Sequence, residues 1–202
     1  MGTCYIVGAG EFFGNFCPDK TDLVIAADGG YTELAKRGIR CDLLIGDLDS
    51  LGNVPSGVEL LKFPVEKDET DMHLAFLEGV RRGYSHFELF GGTGGRPDHT
   101  FANYCLLILI KRSGCTATLY GDGHITYVIE NEFTRVEGKS GKGISVFAFG
   151  GAAHGVLIDG LKYTANDVTL TPEFSLGVSN SFVSDTAKIG VREGCLLVIQ
   201  EI

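Results

Sequence analysis

The sequence predicts a two-part α/β protein. An N-terminal, mostly parallel open sheet with flanking helices covers residues 1–122, and an all-β sandwich follows over residues 123–202. Two patterns predict this. In the first part, short apolar runs ending in Gly or Asp alternate with helical segments, as βαβ units do. After Gly121 the helical segments stop, and short β-type runs separated by Gly, Asn and Asp take over. The chain has 202 residues, 44% hydrophobic and 21% charged, enough apolar material for a real core, and its 29 glycines suit many tight turns.

The elements follow in order. "TCYIVGAG" and "DLVIAADGG" read as strands, and "YTELAKRG" as a short helix closed by Gly38. "DLLIGDLDS" is the next strand, and "GVELLKFP" another, ended by Pro64. "TDMHLAFLEGVRRG" reads as a helix: Thr70 caps it, Asp71 suits its first turn, and Arg81 and Arg82 suit its end. Met72, Ala75, Phe76, Leu77 and Val80 are expected to form its apolar face. "HFELFGG" is a strand, "PDHTFANYCLLILIKRSG" a helix with Pro97 in its first turn and Gly114 after its end, and "TATLYGDG" the last strand of the series. The second part supplies "HITYVIE", "EFTRVEG", "GISVFAFG", "GVLIDG", "DVTL", "TAKIGV" and "CLLVIQEI". "LGVSNSF" interrupts that β pattern, and a turn is the default reading of it.

A net charge of −9 argues against nonspecific binding to nucleic acid or a membrane surface. The six cysteines show neither CxxC spacing nor zinc-type pairing with His. Cys4, Cys105 and Cys195 lie in apolar runs, so buried thiols in a reducing cytoplasm are expected. The first apolar run lasts only a few residues before Gly8, so neither a signal peptide nor a membrane span is expected.

In open α/β sheets, ligands bind outside the carboxyl ends of the strands. Four successive strand ends bring acids to that edge: Asp28 with Gly29 and Gly30; Asp47 and Asp49; Asp68, Glu69, Thr70 and Asp71 after Glu66 and Lys67; and Arg96 with Asp98 after "GGTGG". Asp47 and Asp49 point to one face of an extended chain, where like charges need an offset. A Mg²⁺ ion held by Asp47, Asp49 and Asp71 supplies one. Lys67 and Arg96 can bind phosphate oxygens. Gly92 and Gly94 allow close backbone approach to phosphate, and the helix that follows favours an anion at its N-terminus. Together the loops suggest metal-assisted phosphoryl-type transfer. A single one of these acids would more simply be a cap or turn residue. "VGAGEFFG" lacks the GxGxxG spacing and is a weak signal alone. His99 in a first helical turn, and Asn103 about one turn later, face either the site or the core. Ser179 and Asn180 carry polar groups able to bind a ligand.

"AADGG", "LLIGDLDS", "PVEKDETDMHLA" and "GGTGGRPDHTFAN" occur in the order and spacing of thiamine pyrophosphokinases, and "GLKYT" and "GVSNSF" resemble that family's second-domain motifs. The resemblance implies an ATP-binding α/β domain, a thiamine-binding β-sandwich and a homodimer with the thiamine site near its interface. It implies the reaction of ATP with thiamine to give thiamine diphosphate and AMP. Asp47, Asp49 and Asp71 resemble the Mg²⁺ and catalytic acids, with Arg96 and Asp98 beside them. Asp28, Gly29, Lys67, Asp68, Thr70, Gly92, Gly94, His99 and Asn103 fall in the nucleotide-side motifs, and Ser179 and Asn180 resemble thiamine-contacting positions. Family members often have Phe at Leu48, Leu at Thr93 and Pro97, Glu at Ser181, and Pro-Leu at Thr164-Ala165. A pyrophosphokinase for a hydroxymethylpterin uses the same acids with another acceptor pocket. An aspartyl-phosphatase would make Asp47 a covalent nucleophile, and a non-catalytic nucleotide sensor would release no AMP.

Overall fold

A computed structural model describes residues 2–46, 57–63 and 68–202. Asp47, Asp49 and Lys67 lie outside the described residues. The chain divides into two compact units, Met1–Asp122 and Gly123–Ile202.

The first unit is a parallel sheet of β1 (Cys4–Val7), β2 (Leu23–Ala27), β3 (Leu43–Gly46), β4 (Glu59–Lys62), β5 (His86–Phe90) and β6 (Thr116–Gly121). The strands lie side by side as β6-β5-β1-β2-β3-β4. Strand β1 pairs in parallel with both β2 and β5, Cys4 lying opposite Leu23 on one side and Phe87 on the other. The order therefore reverses at β1, and ligands of open α/β sheets bind at the carboxyl ends of the strands at such a point. Every residue of β2 and β3 is buried, which is why these strands read as unbroken apolar runs.

One face of this sheet carries Val7, Val24, Ala26, Leu44 and Phe90. It is covered by Leu34 of α1 (Gly30–Lys36) and by Phe12 and Phe16 from the loop after β1. Phe90 is stacked between Tyr120 at 4.3 Å and Phe12 at 5.2 Å, and the Arg37 guanidinium lies 4.0 Å over the Phe12 ring. Helices α2 (Asp71–Arg81) and α3 (Pro97–Arg112) also pack in this unit; Phe76 of α2 meets Phe87 of β5 edge-on at 5.0 Å. Cys4 is fully buried, and burial pushes its thiol well above the ordinary range, so it serves as a small apolar core residue.

Both longer helices start and stop where their sequences provide for it. The Thr70 hydroxyl caps α2 by accepting from the His73 amide at 3.2 Å, and Pro97 opens α3. The buried stripe of α2 contains Met72, Ala75, Phe76 and Gly79, whereas Leu77 and Val80, expected on that face, are exposed. In α3 the buried stripe is Asn103, Leu106, Leu107 and Ile110, and Cys105, expected to be buried, falls outside it and is exposed.

Glu78 is buried on α2 and receives Arg81 and Arg82, the latter also reaching Glu59 on β4. The Arg81 hydrogen bonds, against desolvation, bring its carboxyl from the ordinary 4.5 down to about 2. A depressed carboxyl stabilises the fold fully above its unfolded value and loses that contribution as pH falls through the folded one. Glu78→Gln should therefore lower stability at neutral pH. It should also remove the part of the acid-unfolding curve lying between pH 4.5 and about 2. Urea midpoints measured across that range check both.

The second unit holds two antiparallel sheets. One is ordered β12 (Asn180–Ser181), β9 (Gly143–Ala148), β14 (Cys195–Glu201), β7 (His124–Glu130). The other is β11 (Ala165–Leu170), β10 (Ala153–Asp159), β13 (Thr186–Gly190), β8 (Phe133–Glu137). Ile129, Ile144, Val146, Leu196 and Val198 from the first share a core with Val136, Val156, Ile158 and Ile189 from the second. The alternating burial of β9 gives the period-two pattern of a half-covered sheet. In the "LGVSNSF" stretch Leu176–Ser179 form the expected turn, and Asn180 and Ser181 then form a two-residue edge strand on β9.

Candidate active site

A cleft of about 480 Å³ opens in the first unit at the carboxyl ends of its strands. It is bounded by Gly8–Gly10 after β1, Asp28 after β2, Glu69–Met72 at the start of α2, and Gly91–Arg96 with His99 and Asn103 across the start of α3. Among the sequence-predicted residues, the structure thus brings together Asp28, Thr70, Asp71, Gly92, Gly94, Arg96, His99 and Asn103. Gly29, Asp68 and Asp98 do not line the cleft. Gly29 instead stands at the N-cap of α1. Gly8, Ala9 and Gly10, read as a weak signal, form one wall. Glu69, read as one of the strand-end acids, also lines the cleft, whereas Thr93, Gly95, Thr100 and Met72 were not singled out as site residues; the small residues among them could have been found from the position of "GAG" and "GGTGG" at the strand-order reversal.

The loops after β1 and β5 are zipped together by main-chain hydrogen bonds. Gly8 N–H donates to Phe90 O at 2.8 Å, Gly10 N–H to Gly91 O at 2.8 Å, and Glu11 N–H to Thr93 O at 3.1 Å. The carbonyl between these last two, that of Gly92, accepts from Asn103 Nδ2 at 2.8 Å. Three successive carbonyls are therefore tied by donors. In a planar trans peptide the next residue's N–H points the opposite way. Thr93 faces Glu11 across an antiparallel bridge, which directs its N–H to the Glu11 carbonyl. The amides turned away from the loop after β1 are those of Gly92 and Gly94, whose preceding carbonyls accept from Gly10 and Glu11, and backbone N–H groups so placed suit an anion.

The tightness of this seam demands glycine. Gly91 has φ +61°, and a Cβ there would lie 2.4 Å from the Gly8 carbonyl oxygen. Gly91→Ala should destabilise the protein by about 1–3 kcal/mol from backbone strain alone, read as a lower urea midpoint at unchanged slope. Asp28 also sits in the left-handed region, at φ +49°, its N–H donating to Ile45 O at 2.7 Å. A non-glycine residue held there is more common at binding sites than elsewhere.

The charges are arranged unevenly. Asp71 occupies the first position of α2, and the α2 and α3 N-termini both meet the cleft, each favouring an anion. Arg96 is 70% exposed and grips Asp98 through two hydrogen bonds, of 2.6 and 3.2 Å. The Arg96 guanidinium, helped by the His99 amide, holds the Asp98 carboxyl below the usual carboxylate range. Among the described residues, no three His, Cys, Asp or Glu side chains form a metal-holding group. A smaller recess, bounded by Glu11, Phe12 and Glu33, joins the cleft at Ala9–Gly10 and Gly94–Gly95.

In the second unit, Asn180 is buried and its side chain is committed to the main chain. Its Nδ2 donates to Tyr163 O at 2.7 Å, and its Oδ1 accepts from Tyr163 N–H and Ser181 N–H, both at 2.9 Å. Asn180 thus joins the "GLKYT" and "GVSNSF" stretches. Ser179 has φ +57° and donates its N–H to Ser145 Oγ at 3.1 Å. Tyr163, Phe174, Leu176, Val178 and Val183 in the same loops are exposed.

A parallel sheet with a glycine-lined, carboxylate-bearing cleft at its strand-order reversal, followed by an antiparallel sandwich, defines a two-unit α/β protein with its candidate site in the first unit. Comparison with known proteins narrows this. The sequence model "Thiamin pyrophosphokinase, catalytic domain" matches residues 17–119, and "Thiamin pyrophosphokinase, vitamin B1 binding domain" matches residues 128–196. The thiamine pyrophosphokinase of Bacillus subtilis (strain 168) is 27% identical over 213 aligned positions covering 99% of each chain. A crystal structure of thiamine pyrophosphokinase from Bacillus subtilis superposes with a TM-score of 0.90 at 24% identity, covering 98% of each chain. That of thiamin pyrophosphokinase from Candida albicans superposes at 0.77 and 13% identity, covering 100% of this chain and 89% of the other. The chain belongs to the thiamin pyrophosphokinase family, and it is an enzyme of that family, whose members support thiamine diphosphate synthesis from thiamine.

Proposed function

We propose that the protein transfers the pyrophosphoryl group of ATP to the hydroxyl of thiamine, giving thiamine diphosphate and AMP. The observation that carries this reading is the glycine-lined cleft at the strand-order reversal, with the Gly92 and Gly94 amides, Arg96 and Asp71 on its wall. Such a wall suits a polyphosphate. The first unit takes ATP. Its triphosphate lies along the glycine amides and the two helix N-termini, Arg96 and Lys67 bind phosphate oxygens, and the sugar and base extend into the recess at Glu11, Phe12 and Glu33. Asp28, Asp68 and Thr70 support the same edge.

The thiamine hydroxyl oxygen attacks the β-phosphorus in line. The bond from that phosphorus to the bridging oxygen breaks, and AMP leaves with the electron pair. Charge developing on the phosphoryl oxygens meets fixed N–H donors that need no reorganisation. Asp71 receives the hydroxyl proton. Asp98 is less suited to that task, because its pairing with Arg96 lowers its proton affinity, and its role is to aim the guanidinium. Carboxylate oxygens fit a hard divalent cation, and Asp47, Asp49 and Asp71 are the residues that would hold Mg²⁺. When bound, the ion neutralises triphosphate charge.

The second unit takes thiamine at the loops around Ser179 and Asn180, with Asn180 shaping the Tyr163 backbone. The exposed apolar side chains at Tyr163, Phe174, Leu176, Val178 and Val183 support a homodimer in which this region is covered. No described helix is long and apolar enough to cross a membrane, and the buried Cys4 suits the cytoplasm. The test is AMP release from ATP and Mg²⁺ with thiamine, with a hydroxymethylpterin and with no acceptor. Release is expected with thiamine alone. Release with the pterin alone would replace the acceptor, and ATP binding without release would leave a sensor.

A further inference from the structure

The recess beside the cleft, of about 360 Å³, has the opposite electrostatic character. The two share one wall, Ala9–Gly10 and Gly94–Gly95, so one ligand can occupy both. The cleft is lined by Arg96 and by two helix N-termini, whereas Glu11, Glu33 and the Phe12 ring bound the recess. Among the described residues, none of those lining the recess is cationic. A nucleotide whose phosphates lie in the cleft therefore presents its uncharged end, the sugar and base, to the recess.

Glu33 is held there as a fixed acceptor. It stands in the first turn of α1. Its Oε1 accepts from Lys36 Nζ at 2.8 Å, and its Oε2 accepts from Arg37 Nη1. Arg37 is held in turn by the Phe12 ring, which is stacked on Phe90 of the sheet. The carboxylate is thus tied through Arg37 and Phe12 to the core. Lys36 and Arg37 keep its carboxyl below the usual carboxylate range, so at neutral pH it accepts hydrogen bonds and donates none. A carboxylate oxygen has two lone pairs, so each keeps acceptor capacity beside its lysine or arginine partner. Two acceptors side by side match the two adjacent hydroxyls of a ribose, and acidic side chains recognise that diol in other nucleotide sites.

We infer that Glu33 is a specificity-determining residue of the nucleotide site: its carboxylate accepts hydrogen bonds from the ribose 2′- and 3′-hydroxyls, so the protein takes a ribonucleoside triphosphate in preference to its 2′-deoxy counterpart. This rests on the reading of the cleft as a triphosphate site and adds which sugar that triphosphate carries. Glu33 reads the sugar and not the base. A 2′-deoxyribose leaves one acceptor of the carboxylate without its donor.

The experiment measures dissociation constants for ATP, 2′-deoxyATP, GTP and inorganic tripolyphosphate, with Mg²⁺ present, in the full-length wild type and in Glu33→Gln. The wild type should bind 2′-deoxyATP about tenfold more weakly than ATP, and Glu33→Gln should bring ATP down to that level, with 2′-deoxyATP and tripolyphosphate within about twofold of their wild-type values. ATP and GTP should weaken together. Equal affinity of the wild type for ATP and 2′-deoxyATP would overturn the inference, as would an unchanged ATP affinity in the variant. Equal losses for ATP and 2′-deoxyATP would mark a general structural role and overturn it too. A loss confined to one base would move Glu33 to the base, and a loss of tripolyphosphate would move it to the phosphates; either contradicts the assignment. Should the variant fail to fold, the wild-type comparison of ATP with 2′-deoxyATP still decides. Thiamine-dependent AMP release by the wild type tests the underlying function separately, because the sugar can be recognised while that release is absent.

Discussion

Asp71→Asn is expected to reduce turnover by about 10³-fold while leaving the fold in place. The substitution keeps the shape of the side chain at the first position of α2, and Thr70 still caps that helix through His73. Loss of the negative charge at the helix N-terminus costs roughly 0.3–1 kcal/mol, so the urea midpoint should fall only slightly. The chemistry suffers more. Asp71 is given two tasks, proton acceptor for the thiamine hydroxyl and ligand to the divalent ion, and general-base loss alone is worth about 10²–10⁴-fold. The variant should also need more Mg²⁺ for half-maximal rate. Asp49→Ala should likewise remove metal-dependent turnover with the fold intact. Steady-state rates across a Mg²⁺ titration check both, and an unshifted titration with near-normal turnover in either variant would remove that residue from the metal set.

Arg96→Ala is the second large effect: a drop of about 10²-fold in kcat/KM for ATP, roughly 2.7 kcal/mol of transition-state stabilisation. The guanidinium stands at the entry to α3 on the wall of the cleft, and most of it is exposed, so folding should be little affected. Lysine should not restore the activity, because a point charge lacks the two-pronged donor geometry that matches both Asp98 and a phosphate. Asp98→Asn should cost far less than Arg96→Ala, since it loosens the aim of Arg96 and leaves the cation present. If Asp98→Asn proves the more damaging of the two, Asp98 and not Asp71 accepts the proton. Rates for the three variants at saturating and limiting ATP separate these outcomes.

Much of the first unit could be read from composition and period. The βαβ alternation of apolar runs and amphipathic segments is a local signal, and so are Thr70, Pro97 and the basic residues ending α2 and α3. The exposure of Leu77, Val80 and Cys105 was not legible, because an apolar residue at a stripe's margin carries no mark of which side it takes. The acids and Arg96 stood out as a set of charges at strand ends. Gly8–Gly10 did not, since a glycine pair after one strand gains meaning only when the strand order brings it against "GGTGG". The direction of the Gly92 and Gly94 amides depends on hydrogen bonds from Gly10 and Glu11, distant in the chain, and no spacing rule reports it. Asn180 was visible as a polar interruption of a β pattern, yet its bonds to Tyr163 required the two loops to be seen side by side.

The measurement that tests pyrophosphoryl transfer most directly follows a label. ATP labelled at its β-phosphorus is incubated with the purified protein, thiamine and Mg²⁺, and the products are separated. The label should appear in thiamine diphosphate in amounts equal to the AMP formed, and neither product should form when thiamine is left out. Label retained in ADP beside thiamine monophosphate, or AMP released at the same rate without thiamine, would contradict it.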